Sequence, residues 1–258
     1  MLQRANIKTI IIVSISALLI IACSSKKETI KDIPFGQIDS LFKKADEMMK
    51  KGDLEEARKL LERVKAEDTS QEFAPIAQLR IADTYFQEER YEDAEVEYQA
   101  FLDRYAYHGY APYAQYRLGM TYFKRIETVD ISYSMAKKAL ETFESLLIQY
   151  PRNPYIEATE QRIKACRNVL AEYELYVGKF YFKKGSYMAS AWRFEELIKR
   201  YPDSTSEAEA LYYLAISYKN LHEYEKAINA LNTLIEKFPR TKLSKEARDM
   251  LASLNNKR

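Results

Sequence analysis

The stretches "YVGKFYFKKGSYMASAWRFEELIKRYP" (176–202) and "YLAISYKNLHEYEKAINALNTLIEKFP" (213–239) align without a gap at an offset of 37 residues. Small residues coincide at Gly178 and Ala215, and again at Ser190 and Ala227. Tyrosines coincide at Tyr181 and Tyr218 and at Tyr187 and Tyr224, and both stretches close on proline, Pro202 and Pro239. Small residues recurring beside aromatic ones mark places where two helices approach closely and a ring fills the space next to the crossing. Proline closes the copy because it cannot continue a helix and biases its predecessor away from one. Each copy reads as a pair of helices around a short turn.

The plan recurs upstream. "IADTYFQEERYEDAEVEYQAFLDRY" (81–105) carries it at Ala82, Tyr85, Tyr91 and Ala94, and "KADEMMKKGDLEEARKLLERV" (44–64) carries a weaker copy at Ala45, Gly52, Leu54 and Ala57. A further copy is split: Gly119 and Tyr122 open it, and Ala139, Phe143 and Pro151 close it. Gly119 and Ala139 stand twenty residues apart where the other copies use twelve, which puts an insert of about eight residues near 125–132. After Pro151 no breaker interrupts the chain from Tyr155 to Gly178, which predicts a long helix running into the fourth unit. "SKEARDMLASL" (244–254) reads as the atypical terminal helix that covers the last apolar face of such an array.

Several positions recurring together form the tetratricopeptide pattern, lengthened by about three residues per unit. The expected fold is an all-α solenoid of about five helical hairpins. Repeats one to three, the third enlarged, occupy 35–151. The long helix, repeats four and five and the capping helix occupy 152–257.

The amino terminus has a different character. Arg4 and Lys8 precede a thirteen-residue apolar run, Ile10 to Ala22. That is shorter than the ~20 residues a membrane-spanning helix needs, and it suits the apolar core of a secretory signal peptide over 1–22. Ile20-Ile21-Ala22-Cys23 resembles a bacterial lipobox, in which the chain is cut before the cysteine and the cysteine is lipidated. Cys23 is thus the expected membrane anchor, with a polar tether over 23–34. Two or more acyl chains hold a protein stably on a bilayer where one does not. By resemblance to the sorting rule of well-studied lipoproteins, Ser24 at the second mature position favours outer-membrane delivery, facing the periplasm.

Composition narrows the function. The whole chain carries 40 basic and 38 acidic side chains, and Arg4 and Lys8 account for the excess, so the chain after residue 22 is formally neutral. A nucleic-acid partner would need a basic surplus on one face, and none is evident. Cys166 is the only cysteine besides Cys23, and its helical setting reads as a small buried hydrophobe. No catalytic constellation, metal site or cofactor motif stands out. "HEYEK" (222–226) has Lys226 where a zinc-protease helix would need a second histidine. The chain reads as a scaffold, not an enzyme.

In tetratricopeptide arrays the first helices line a concave surface, with positions 2, 5, 9 and 12 of each unit tending to face it. Here those positions place Phe42 and Met49 of unit one, Leu79 and Phe86 of unit two, and Tyr113, Tyr116, Met120 and Phe123 of unit three. An apolar groove of this kind, bordered by Lys50 and Lys124, suits an extended peptide with an aromatic residue and a free carboxylate.

The whole arrangement resembles the BamD family of outer-membrane assembly lipoproteins. The sharpest local match is "LAEYELYVGKFYFKKGSYMASAWRFEELIKRYPDS" (170–204), where Leu170, Tyr173, Glu174, Gly185, Arg193, Tyr201 and Pro202 fit the family pattern. The resemblance implies a periplasm-facing scaffold that binds the barrel protein BamA through its POTRA domains and helps receive unfolded outer-membrane protein precursors. It makes Arg193 the expected partner-binding residue, since a guanidinium fork pairs with a carboxylate in a way lysine cannot reproduce. The competing reading is another periplasmic tetratricopeptide lipoprotein, concerned with envelope coordination or cell division.

Overall fold

The computed structural model describes residues 34–126 and 133–255. The signal peptide, Cys23, the tether up to residue 33 and most of the insert lie outside the described residues. Eleven helices follow one another among the described residues: α1 (Ile38–Lys51), α2 (Leu54–Glu67), α3 (Ala74–Gln87), α4 (Tyr91–Tyr105), α5 (Ala111–Lys124), α6 (Tyr133–Gln149), α7 (Ile156–Lys183), α8 (Tyr187–Arg200), α9 (Glu207–Asn220), α10 (Tyr224–Lys237) and α11 (Lys242–Asn255). Consecutive helices pack as antiparallel neighbours along the whole chain. The 37-residue offset survives in three dimensions, since α2 and α4 begin at Leu54 and Tyr91, and α8 and α10 at Tyr187 and Tyr224.

The tight turn inside a unit requires a left-handed residue. Gly52 and Gly185 supply it at φ +84° and +74°. At the same step in units two and five the chain places Glu89 and His222, at φ +60° and +59°. A side chain there is strained, so surrounding packing must hold it. Between units, Asp68 closes the first loop: its carboxylate accepts the Phe73 and Ala74 N–H groups at 2.7 and 2.8 Å, at the start of α3. Burial works against that charge, but bonds from Ser70, Ala74 and Phe73 hold the carboxyl below its usual range.

Two close crossings confirm the role of the small residues. A Cβ built on Gly119 would stand 2.5 Å from the ring of Phe143, and one on Gly178 would collide with the ring of Phe194. Both rings are fully buried. Ala215 and Ala227 are fully buried in the cluster that joins units four and five. Cys166 is also buried, and desolvation pushes its thiol up to about 12.

The long helix expected after Pro151 is α7, with 28 residues, or about 42 Å at 1.5 Å per residue. Its first half packs against α6, where Arg167 Nη2 donates to Glu144 Oε1 at 2.7 Å. Its second half is the first helix of unit four, where Ser190 Oγ donates to the Gly178 carbonyl at 3.0 Å. At the far end α11 buries Ala247 and Leu254 and leaves Lys245, Arg248 and Asp249 to solvent, as a cap should.

Candidate functional site

The expected groove is built on α1, α3 and α5. Phe42 and Met49 are half-buried on the core of unit one, with the Phe42 ring 6.0 Å from that of Phe73. Phe86, Tyr113, Tyr116 and Phe123 are half-buried against the next core, and Lys50 and Lys124 are exposed. Two of the expected residues are corrections. Leu79 and Met120 are buried in the core of units two and three, because neighbouring helices cover these positions, and they present only 4% and 8% of their surface.

The same stripe holds acids that sequence reasoning passed over. Asp46 stands between Phe42 and Met49 and pairs with Arg80 at 3.8 Å. Asp83 stands between Leu79 and Phe86 and organises the site. It accepts the Tyr98 and Tyr113 hydroxyls at 2.5 and 2.6 Å and lies 3.5 Å from the Arg117 guanidinium. Arg117 Nε donates to Tyr98 Oη at 3.0 Å, and its guanidinium carbon lies 3.8 Å from the centre of the Phe86 ring. Burial and the Asp83 charge push both phenols well above the ordinary tyrosine range. Desolvation works against the Arg117 charge, but the Tyr98 and Tyr113 oxygens and Asp83 outweigh it and raise its pKa further. Beside this cluster Tyr116 stacks on Tyr155, centroids 5.0 Å apart, and Arg162 covers the Phe123 ring at 4.9 Å.

The groove is therefore aromatic with a fixed guanidinium at its centre. Among the described residues the hydrogen bond of Arg117 is made by Nε, and the two terminal nitrogens are the ones placed to meet a ligand. The sequence signal for Asp83 was its place at position 9 of unit two, the register that gave Met120 in unit three.

Arg193 lies on α8 and is not a free side chain. Its Nη1 donates to Glu174 Oε2 of α7 at 3.0 Å, while its guanidinium covers the Trp192 ring at 4.8 Å. Trp192 and Met188 are exposed one turn apart on the outer face of α8. Among the described residues no group of three or more His, Cys, Asp or Glu is placed to hold a metal ion. No described helix is long and apolar enough to cross a membrane.

Residues 36–227 match the family YfiO, described as outer membrane lipoprotein. The chain belongs to the YfiO family. Among curated relatives, an outer membrane protein assembly factor BamD of Rickettsia prowazekii is 27% identical over 233 residues, covering 88% of this chain and 92% of the relative. The BamD of Xylella fastidiosa strain Temecula1 is 25% identical, covering 84% and 78%. Among solved structures, the TPR2AB-domain:pHSP90 complex of yeast Sti1 aligns at 18% identity with a TM-score of 0.46, over 84% of this chain and 86% of that one. The YfiO match covers both the aromatic cluster on α3 and α5 and the Arg193–Glu174 pair.

Proposed function

We propose that this chain is a lipid-anchored, periplasm-facing scaffold subunit of the machine that assembles β-barrel proteins in the outer membrane. The observation that carries this reading is the family match over 36–227, whose curated relatives bear the name outer membrane protein assembly factor. In this reading Cys23 carries the lipid. The outer face of α8, with Trp192, Met188 and the Arg193 guanidinium, meets a BamA-like protein through its POTRA domains. The groove of units one to three receives unfolded precursors.

The groove geometry supports the last role. Half-buried Phe86, Tyr113, Tyr116 and Phe123 offer apolar contacts, while Arg117 and exposed Lys124 offer a carboxylate its counter-charge. In this reading the groove serves binding and the chain works as a scaffold. Crosslinking intact envelopes and isolating the tagged chain tests the reading. Recovery of a BamA-like barrel protein is expected. Recovery of cell-division proteins without it would move the chain to the envelope-coordination class.

A further inference from the structure

The two ends of the hairpins in units one to three differ in surface chemistry. In an antiparallel series, odd helices begin and even helices end on one edge. A run of contacts traces that edge: Gly36 N donates to Glu67 Oε2 at 2.9 Å, Tyr105 Oη to Gln71 Oε1 at 3.1 Å, and Tyr150 Oη to the Ala106 carbonyl at 2.9 Å. Along it stand Phe35, 83% exposed, Tyr107, fully exposed, Tyr110, half-exposed, and Ile148, 79% exposed in the last turn of α6. The opposite edge, at 50–54 and 87–91, exposes no large apolar side chain. It presents Lys50, Lys51, Asp53, Glu88, Glu89 and Arg90 instead.

We propose that this apolar edge lies on the phospholipid headgroups, with Phe35, Tyr107, Tyr110 and Ile148 in the bilayer interface, so that the lipid anchor and the edge together fix how the solenoid stands on the membrane. The proposal rests on Cys23 carrying the lipid. Cys23 is eleven residue steps from Pro34, a reach of at most about 40 Å. The Gly36–Glu67 bond pins the chain to the same edge two residues later. A short tether of this kind holds the edge at an effective concentration on the order of millimolar, so a contact too weak to bind a membrane alone is still occupied.

Tyrosine suits the place, since its ring sits among the headgroups and its hydroxyl stays wet. Arg104 and Arg152 are exposed on this edge and make no ion pair among the described residues, which leaves them for lipid phosphates. Exposed Glu72 and Glu157 offset them, so the contact depends on apolar insertion and only weakly on salt.

The test uses the full lipidated protein in vesicles whose acyl chains are brominated near the headgroup. Tyr107→Trp is made in a Trp192→Phe background, and the unsubstituted protein reports from Trp192 on α8. The expected result is at least twofold stronger quenching of the indole at position 107 than of Trp192. Equal or absent quenching, with the protein still floating with the vesicles, overturns the edge contact and leaves the anchor standing. Protein that does not float overturns the anchor, and the edge contact with it. Position 107 unquenched in vesicles but shielded from labelling in whole envelopes assigns the edge to a protein partner, which also overturns the proposal.

Discussion

Arg193 and Glu174, nineteen residues apart in the chain, form an ion pair across the α7–α8 hairpin in which the carboxylate is 4% exposed and the guanidinium 29%. Removing the arginine leaves a buried charge without its partner. Arg193→Ala should destabilise the soluble domain by about 1–3 kcal/mol, below the full cost of breaking a buried pair because solvent reaches the guanidinium. Arg193→Glu should cost more, by setting two carboxylates together. Urea unfolding measures both, and Glu174→Gln in the Arg193→Ala background should recover part of the loss. Wild-type stability for Arg193→Ala would mean Glu174 finds another partner.

The partner surface is better probed beside the pair. Trp192→Ala leaves Glu174 satisfied and removes an exposed ring, so its effect on stability should stay within about 0.5 kcal/mol. Its affinity for the POTRA region of a BamA-like protein should fall by about 2 kcal/mol or more if the indole is a buried anchor of that contact. Unchanged binding would move the interface off this face of α8.

Close crossings give a test of packing. Gly119→Ala and Gly178→Ala gain up to about 1 kcal/mol of helix propensity, yet each drives a methyl into a fully buried ring. Overpacking costs about 1–3 kcal/mol, so both variants should lose stability on balance, and Ala215→Leu should lose at least as much. Hydrogen exchange should show the adjoining units loosening first. Protection unchanged across α7 to α10 in Gly178→Ala would contradict the crossing.

The buried phenols and the buried thiol predict an alkaline limit. Tyr98 and Tyr113 titrate far above the ordinary tyrosine value in the folded chain, and Cys166 near 12, so folding is favoured while these groups stay protonated. That stability is fully present below the unfolded values, about 9 for the thiol and 10 for the phenols, and falls as pH rises through the folded ones. Phenolate absorbance should show several tyrosines, Tyr98, Tyr113, Tyr122 and Tyr218 among them, that ionise only as the fold is lost. Cys166 should react with a thiol reagent far more slowly than in the unfolded chain, since it is buried and its thiol is held protonated.

Groove binding has a direct chemical test. A peptide ending in an aromatic residue and a free carboxylate should lose about 1.5–3 kcal/mol when the carboxylate is amidated. Arg117→Met should show the same loss with the free acid and no further loss with the amide. Circular dichroism guards against a folding effect, since Arg117 also contacts Tyr98. Additive losses would place the carboxylate elsewhere, with Lys124 the next residue to replace.

Much of the architecture was legible because periodicity is a local signal. The positions of Gly119, Gly178 and Ala215 announced the crossings, and the absence of a breaker from Tyr155 to Gly178 announced α7. Polar pairing is not local. Glu174 reads as one more helical glutamate until the hairpin brings it under Arg193. Asp83 reads as a surface acid until Tyr98, Tyr113 and Arg117 converge on it from two other helices. Leu79 and Met120 were misplaced because position numbers describe one helix, whereas exposure depends on how closely the next helix nests.

The 28 residues of α7 make the two halves of the solenoid parts of one rod. A helix resists bending over this length, so the rod acts as a lever with arms of about 20 Å on either side of its midpoint. A tilt of roughly 5° imposed where α5 and α6 grip its first half would swing the end carrying α8 through about 2 Å. An occupant wedged between Tyr113, Tyr116 and Tyr155 pushes on the root of that lever, and Trp192 rides on its far arm, level with Glu174 and Gly178.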